Sequence, residues 1–138
     1  MKIKLQVAGI CIVIVSLVAL VFVLVRMKNY IDVSSATEVS IKYHCNGAEI
    51  DVIVTDENDI KVLKENLTGA SFPENPSCGF SLDISIRFTD GDKSIVLCPA
   101  RDTCSFARIG ETGRYINIKD RKALETVLKK YGVIFPCV

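Results

Sequence analysis

The chain has 138 residues, enough for one domain beside its N-terminal segment. Its 17 basic and 16 acidic residues give a net charge of +1, and with Lys2 and Lys4 set aside the balance is 15 to 16. That near-neutrality leaves no basic footprint, so nucleic acid is excluded as a partner class.

Residues 5–25 read LQVAGICIVIVSLVALVFVLV, 21 residues without a charge. As a helix they reach about 30 Å, the thickness of a bilayer core. Residues 1–25 are therefore expected to be a retained single-pass transmembrane anchor, with 5–25 in contact with lipid. A signal sequence, cleaved or uncleaved, is the alternative, and its cleavage would make the domain secreted. Such a signal has an apolar run of about 7–15 residues closely followed by small residues. Here Ser34-Ser35-Ala36 comes only after Arg26 and Lys28. A lipoprotein signal is disfavoured because Ile10 separates Ala8-Gly9 from Cys11. Within the anchor, Cys11 reads as a small apolar side chain.

Lys2 and Lys4 lean towards a cytoplasmic N-terminus. Cys45, Cys78, Cys98, Cys104 and Cys137 all follow the anchor, a density typical of small oxidised domains. Together these features place the C-terminal domain outside the cytoplasm, at the cell membrane. Residues 26–37 lack periodicity and read as a juxtamembrane linker, with Tyr30 at the interface. The domain is expected over 38–138.

The domain opens on a hairpin. EVSIKYHC and AEIDVIVT flank Asn46-Gly47, a favoured two-residue turn. Setting Cys45 opposite Ala48 brings Tyr43 to Ile50, Ile41 to Val52 and Val39 to Val54, all on one face. Glu57 to Leu67 is expected to be a helix capped by Thr55 or Asp56, with Ile60, Leu63 and Leu67 on one stripe and Gly69 as a left-handed stop. Residues 70–77, with two prolines, read as a loop. In SLDISIRF, Leu82, Ile84, Ile86 and Phe88 alternate. Pairing KSIVLC across Asp90-Gly91 sets Ile86 against Ile95 and Ile84 against Leu97. The same register brings Cys78 close to Cys104 and sets Cys98 opposite Asp83 on the non-core face. Short strands are expected at 105–109 and 114–118. DRKALETVLKKYG is a helix with Leu124, Val127, Leu128 and Tyr131 on one stripe and Gly132 as its stop. An apolar tail, Val133 to Phe135, precedes Pro136-Cys137. The order, ββα then ββββα, predicts an α+β two-layer domain. About six antiparallel strands would carry two helices on one face.

The chemistry-bearing residues form no recognisable catalytic, metal or cofactor set, so the chain is expected not to be an enzyme and to need no cofactor. Zinc sites favour shorter ligand spacings than that of Cys98 and Cys104. His44 is the sole histidine and belongs to a polar strand face. The phosphatase loop is absent because the sixth residue after Cys98 is Cys104 rather than arginine. Asp56, Glu57 and Asp59 fit a helix start; Asp90 and Asp92 fit a turn. Asn66-Leu67-Thr68 is a glycosylation sequon whose meaning depends on the host. The five cysteines of the domain read as two structural bridges and one free thiol. Cys78–Cys104 is the best single pair, with Cys45, Cys98 and Cys137 open.

These features imply a membrane-anchored, disulfide-stabilised domain that binds a protein partner of unknown identity. One alternative is a thiol/disulfide redox-responsive envelope protein centred on Cys98 and Cys104. The other is an accessory subunit that acts through its transmembrane helix.

Overall fold

The computed structural model of the chain describes residues 2–45, 47–74 and 76–137, with the side chains of residues 2–11 and 26–28 outside that description. Two compact units are present, Met1–Tyr30 and Ile31–Val138. The first is a single helix, α1 (Lys2–Lys28). Its described side chains from Ile12 to Val25 are exposed. Among the described residues no helix is long and apolar enough to cross a membrane. Residues 5–11 of the expected span, Cys11 included, lie outside the described side chains.

The second unit is an α+β domain. Its strands are β1 (Tyr30–Ile31), β2 (Glu38–Cys45), β3 (Ala48–Ile53), β4 (Gly69–Phe72), β5 (Ile84–Asp90), β6 (Lys93–Pro99), β7 (Phe106–Ile109) and β8 (Tyr115–Asn117). Its helices are α2 (Glu57–Asn66) and α3 (Arg121–Lys130). The strands form one antiparallel sheet in the order β1-β4-β8-β7-β6-β5-β2-β3.

Eight strands replace the six expected because β1 falls in the expected linker and β4 in the expected loop. Both are too short to show alternation, and β4 is held by distant partners, Ser71 opposite Ile116 and Phe72 opposite Tyr115. Residues 31–37 likewise join the domain instead of forming a linker. Val33 and Ala36 are buried in its core, and the Thr37 amide donates to the Thr89 carbonyl at 2.8 Å.

The first hairpin has the register read from sequence, with Cys45 opposite Ala48, Tyr43 opposite Ile50 and Ile41 opposite Val52. Asn46 of its turn lies outside the described residues. The second hairpin is shifted by two residues from the expected register. Ile86 faces Leu97, Phe88 faces Ile95, and Asp90 and Lys93 flank the turn. Gly91, at φ +56°, is the first central residue of that turn. A two-residue slip keeps every side chain on its face, so the core pattern survives. Leu82, expected on the core face, precedes β5 and is exposed.

Asp56 caps α2 by accepting from the Asn58 and Asp59 amides, and Asp120 caps α3 by accepting from Ala123. Helix α2 ends at Leu67 with φ −111°, so Gly69 is no left-handed stop and instead opens β4. Leu63, Leu67, Leu124 and Leu128 join Val39, Ile41, Ile84, Ile86, Leu97 and Ile116 in one core. Each leucine buried this fully contributes about 2 kcal/mol of transfer free energy.

Candidate functional site: the braced loop after β6

The sheet's second face carries the feature that the cysteines mark. Leu97 points into the core, so Cys98 points away from it and lies opposite Arg108 on β7. On the β5 side the two-residue shift removes the expected pairing with Asp83, which precedes that strand. Cys98 is fully buried and, among the described residues, is the free cysteine. Aromatic rings gather on this face: Phe80 lies 5.0 Å from Tyr115, and Phe72 lies 5.8 Å from Phe106. Burial pushes the Cys98 thiol up, against the opposing pull of Arg108. A raised thiol stays protonated at neutral pH, the reverse of what a reactive cysteine needs.

The loop beyond Cys98 is held from three directions. One bridge joins Cys78 to Cys104, and a second joins Cys45 to Cys137. The Arg101 amide donates to the Gly79 carbonyl at 2.8 Å, and the Cys137 amide donates to the Arg101 carbonyl at 3.1 Å. Asp102 organises the turn by accepting from the Cys104 amide at 2.8 Å and the Gly79 amide at 3.3 Å.

The third hold is Arg121, at the start of α3. Its guanidinium donates to the carbonyls of Cys104 at 3.1 Å, Ala100 at 3.0 Å and Asp102 at 2.8 Å. Its Nε donates to Glu125 at 2.7 Å, and the ring of Phe135 lies 4.5 Å away. Sequence reasoning missed this role. A charge of this sign in a first helical turn is disfavoured by the helix dipole, which gives no hint of a brace. The nearest signal was Glu125 four residues later, in ion-pair spacing.

Cys78, Asp102 and Cys104 offer ligand atoms within 4.8 Å of one another. The two sulfurs are bonded together and the carboxylate serves two amides, so the group is committed to structure. His44 is exposed on the second face opposite Glu49, while the Cys45 side chain is buried in its bridge. Asp59 is buried and accepts from Lys130 Nζ at 2.6 Å and the Tyr131 hydroxyl at 3.0 Å. The sequon residue Asn66 is also buried. Its Nδ2 donates to the Val62 carbonyl at 3.0 Å, and its Oδ1 accepts from the Asp120 amide at 2.6 Å. In the folded domain that amide side chain joins α2 to the N-cap of α3.

An open groove of about 490 Å³ lies beside α2, lined by Ile60, Lys61, Lys64 and Lys119 among others. Lys64 donates to the carbonyls of Ser34 and Ala36, and Lys61 lies 3.9 Å from Glu65. Lys64 and Lys61 therefore serve the fold rather than converge on a point in the groove. In comparisons with known proteins, no family model, curated protein or solved structure matches the chain.

Proposed function

We propose that this chain is a single-pass membrane protein that presents a disulfide-stabilised α+β binding domain outside the cytoplasm. The observation that carries the reading is the pair of bridges, Cys45–Cys137 and Cys78–Cys104, in a small domain. Such bridges persist in oxidising compartments and are reduced in the cytosol. The anchor is supported by the uncharged run 5–25 and by the exposed apolar side chains of Ile12–Val25. A helix apolar on all sides needs either a large protein core or lipid around it. A binding role is supported by the use of Asp56, Asp59, Asn66, Asp102 and Arg121 in capping and bracing. The partner is a protein or another component of the cell envelope.

Two measurements test this. Protease added to intact cells should degrade the domain while leaving a membrane-bound fragment. The full chain, purified in detergent and immobilised, should repeatedly recover the same partner from solubilised membranes. A domain shielded from external protease overturns the location. Turnover of a substrate, with no partner recovered, overturns the binding role.

A further inference from the structure

We propose that the outer edge of β3 is the docking strand of the domain. Its partner is an extended protein segment with basic side chains at alternate positions and apolar ones between. The inference rests on the binding-domain reading and adds to it the surface and the chemistry of the partner.

Strand β3 is the last strand on its side of the sheet. The Val54 amide donates to the Val39 carbonyl at 2.8 Å, which fixes the phase of the ladder. Bonded pairs alternate in an antiparallel ladder, so Val52, Ile50 and Ala48 bond inward to β2. The His44 amide donates to Asp83 on the other side of β2, in agreement with that phase. The backbone N–H and C=O groups of Glu49, Asp51 and Ile53 therefore point outward. Among the described residues nothing hydrogen-bonds to them. This is the row of groups to which an added strand binds.

The side chains along the edge select the occupant. Glu49 and Asp51 are exposed on the second face, followed by Ile53 at 56% exposure. On the helix side Ile50 and Val52 are half-buried. Ile134 is 64% exposed, and its carbonyl accepts from the hydroxyl of Tyr43, the residue opposite Ile50. The edge thus offers two carboxylates on one face and apolar contact on both. Lys42 lies 2.9 Å from Asp51, but both side chains are more than half exposed, so this screened pair is a weak competitor.

The same carboxylates disfavour a second copy of the chain. In a two-fold antiparallel pairing, opposite residues share a face. Centring on Asp51 sets it against its own copy; centring on Ile50 sets Glu49 against Asp51. Centring on Val52, with Asp51 against Ile53, escapes the clash, and concentration-dependent protection without peptide tests that register. Like charges directly opposite are destabilising, whereas basic residues there complement the edge.

The test uses the full chain in detergent micelles and the capped peptide acetyl-Val-Lys-Val-Lys-Val-Lys-Val-amide. One control peptide has Glu for Lys, and a second carries N-methyl groups on alternate amides. The lysine peptide should slow amide exchange at Glu49, Asp51 and Ile53 by about tenfold or more, and neither control should. The double variant Glu49→Lys/Asp51→Lys, with an unchanged melting temperature, should lose that protection. The proposal is overturned if the lysine peptide leaves those three amides unprotected, or if the glutamate peptide protects them equally. Concentration-dependent protection without peptide also overturns it, since the occupant would be a second copy. A membrane partner that the double variant still recovers overturns the edge assignment and leaves the binding-domain reading standing. Protection by the lysine peptide with no membrane partner recovered supports the edge and removes the wider reading.

Discussion

At the scale of single residues, the arginine that braces the loop has the largest predicted effect. Three backbone carbonyls depend on the Arg121 guanidinium. Truncation leaves them without this donor and removes the cation over the Phe135 ring. Arg121→Ala should cost about 3 kcal/mol in denaturant unfolding of the full chain. Arg121→Lys should recover only part of this, because an ammonium cannot present a planar fork to several acceptors. A loss below about 0.5 kcal/mol, the range of ordinary surface substitutions, would show that the carbonyls find other donors. Cys98 gives a second residue-scale prediction. Burial both hides the thiol and raises it. A maleimide should therefore leave Cys98 unlabelled in the native chain and label it fully after denaturation without reductant. Rapid native labelling would contradict the buried placement and reopen the redox-responsive reading.

At the scale of elements, Asp59 of α2 links to Lys130 and Tyr131 at the end of α3. Burial first, then the bond to Asp59, pushes Tyr131 up from 10.0 to about 12. The folded state holds that proton when the unfolded chain has released it, so stability falls as pH climbs from about 10 towards 12. The Asp59 bond also raises Lys130 above 10.5, and its contribution fades in the same direction. Urea midpoints should thus drop as pH rises from about 10 towards 12. Tyr131→Phe should remove that group's share of the drop, while Asp59→Asn should flatten it only partly because burial of Tyr131 remains. Equal slopes in all three proteins would exclude the link.

Sequence alternation was legible where elements were long and one face was buried. Val39, Ile41 and Tyr43 announced β2, and Leu124, Val127 and Leu128 announced α3. β1 and β4 depend on partners far along the chain, which no local pattern encodes. The second hairpin slipped by two residues because Asp90-Gly91 and Gly91-Asp92 are both plausible turn centres, and either keeps the apolar face intact. The Cys78–Cys104 pair was read from a hairpin register two residues off, and it survives because both cysteines lie in loops beyond β5 and β6. The Arg121 brace required knowing where α3 lands. The β3 edge was hidden for the same reason, since strand order decides which strand is last.

At the scale of the whole molecule, the two bridges constrain the unfolded chain to different extents. Cys45–Cys137 spans 92 positions and Cys78–Cys104 spans 26. Loop-closure entropy gives about 4.6 kcal/mol for the first taken alone and about 3.5 kcal/mol for the second. Their folded-state support differs too. The Cys78–Cys104 loop keeps the Asp102, Gly79 and Arg121 hydrogen bonds when its sulfurs are removed. The C-terminal tail retains the Cys137 amide bond to Arg101 and the bond from Tyr43 to Ile134. Both arguments point the same way. Cys45→Ala/Cys137→Ala should lower the melting temperature of the full chain by several degrees more than Cys78→Ala/Cys104→Ala. The reverse order would mean that the shorter bridge acts chiefly in the folded state. It would do so by holding residues 76–83, with Phe80 against Tyr115, on the face that carries the buried Cys98 thiol. In that case the shorter-loop double variant should also make Cys98 reactive towards maleimide under native conditions, so the same two proteins distinguish the two accounts.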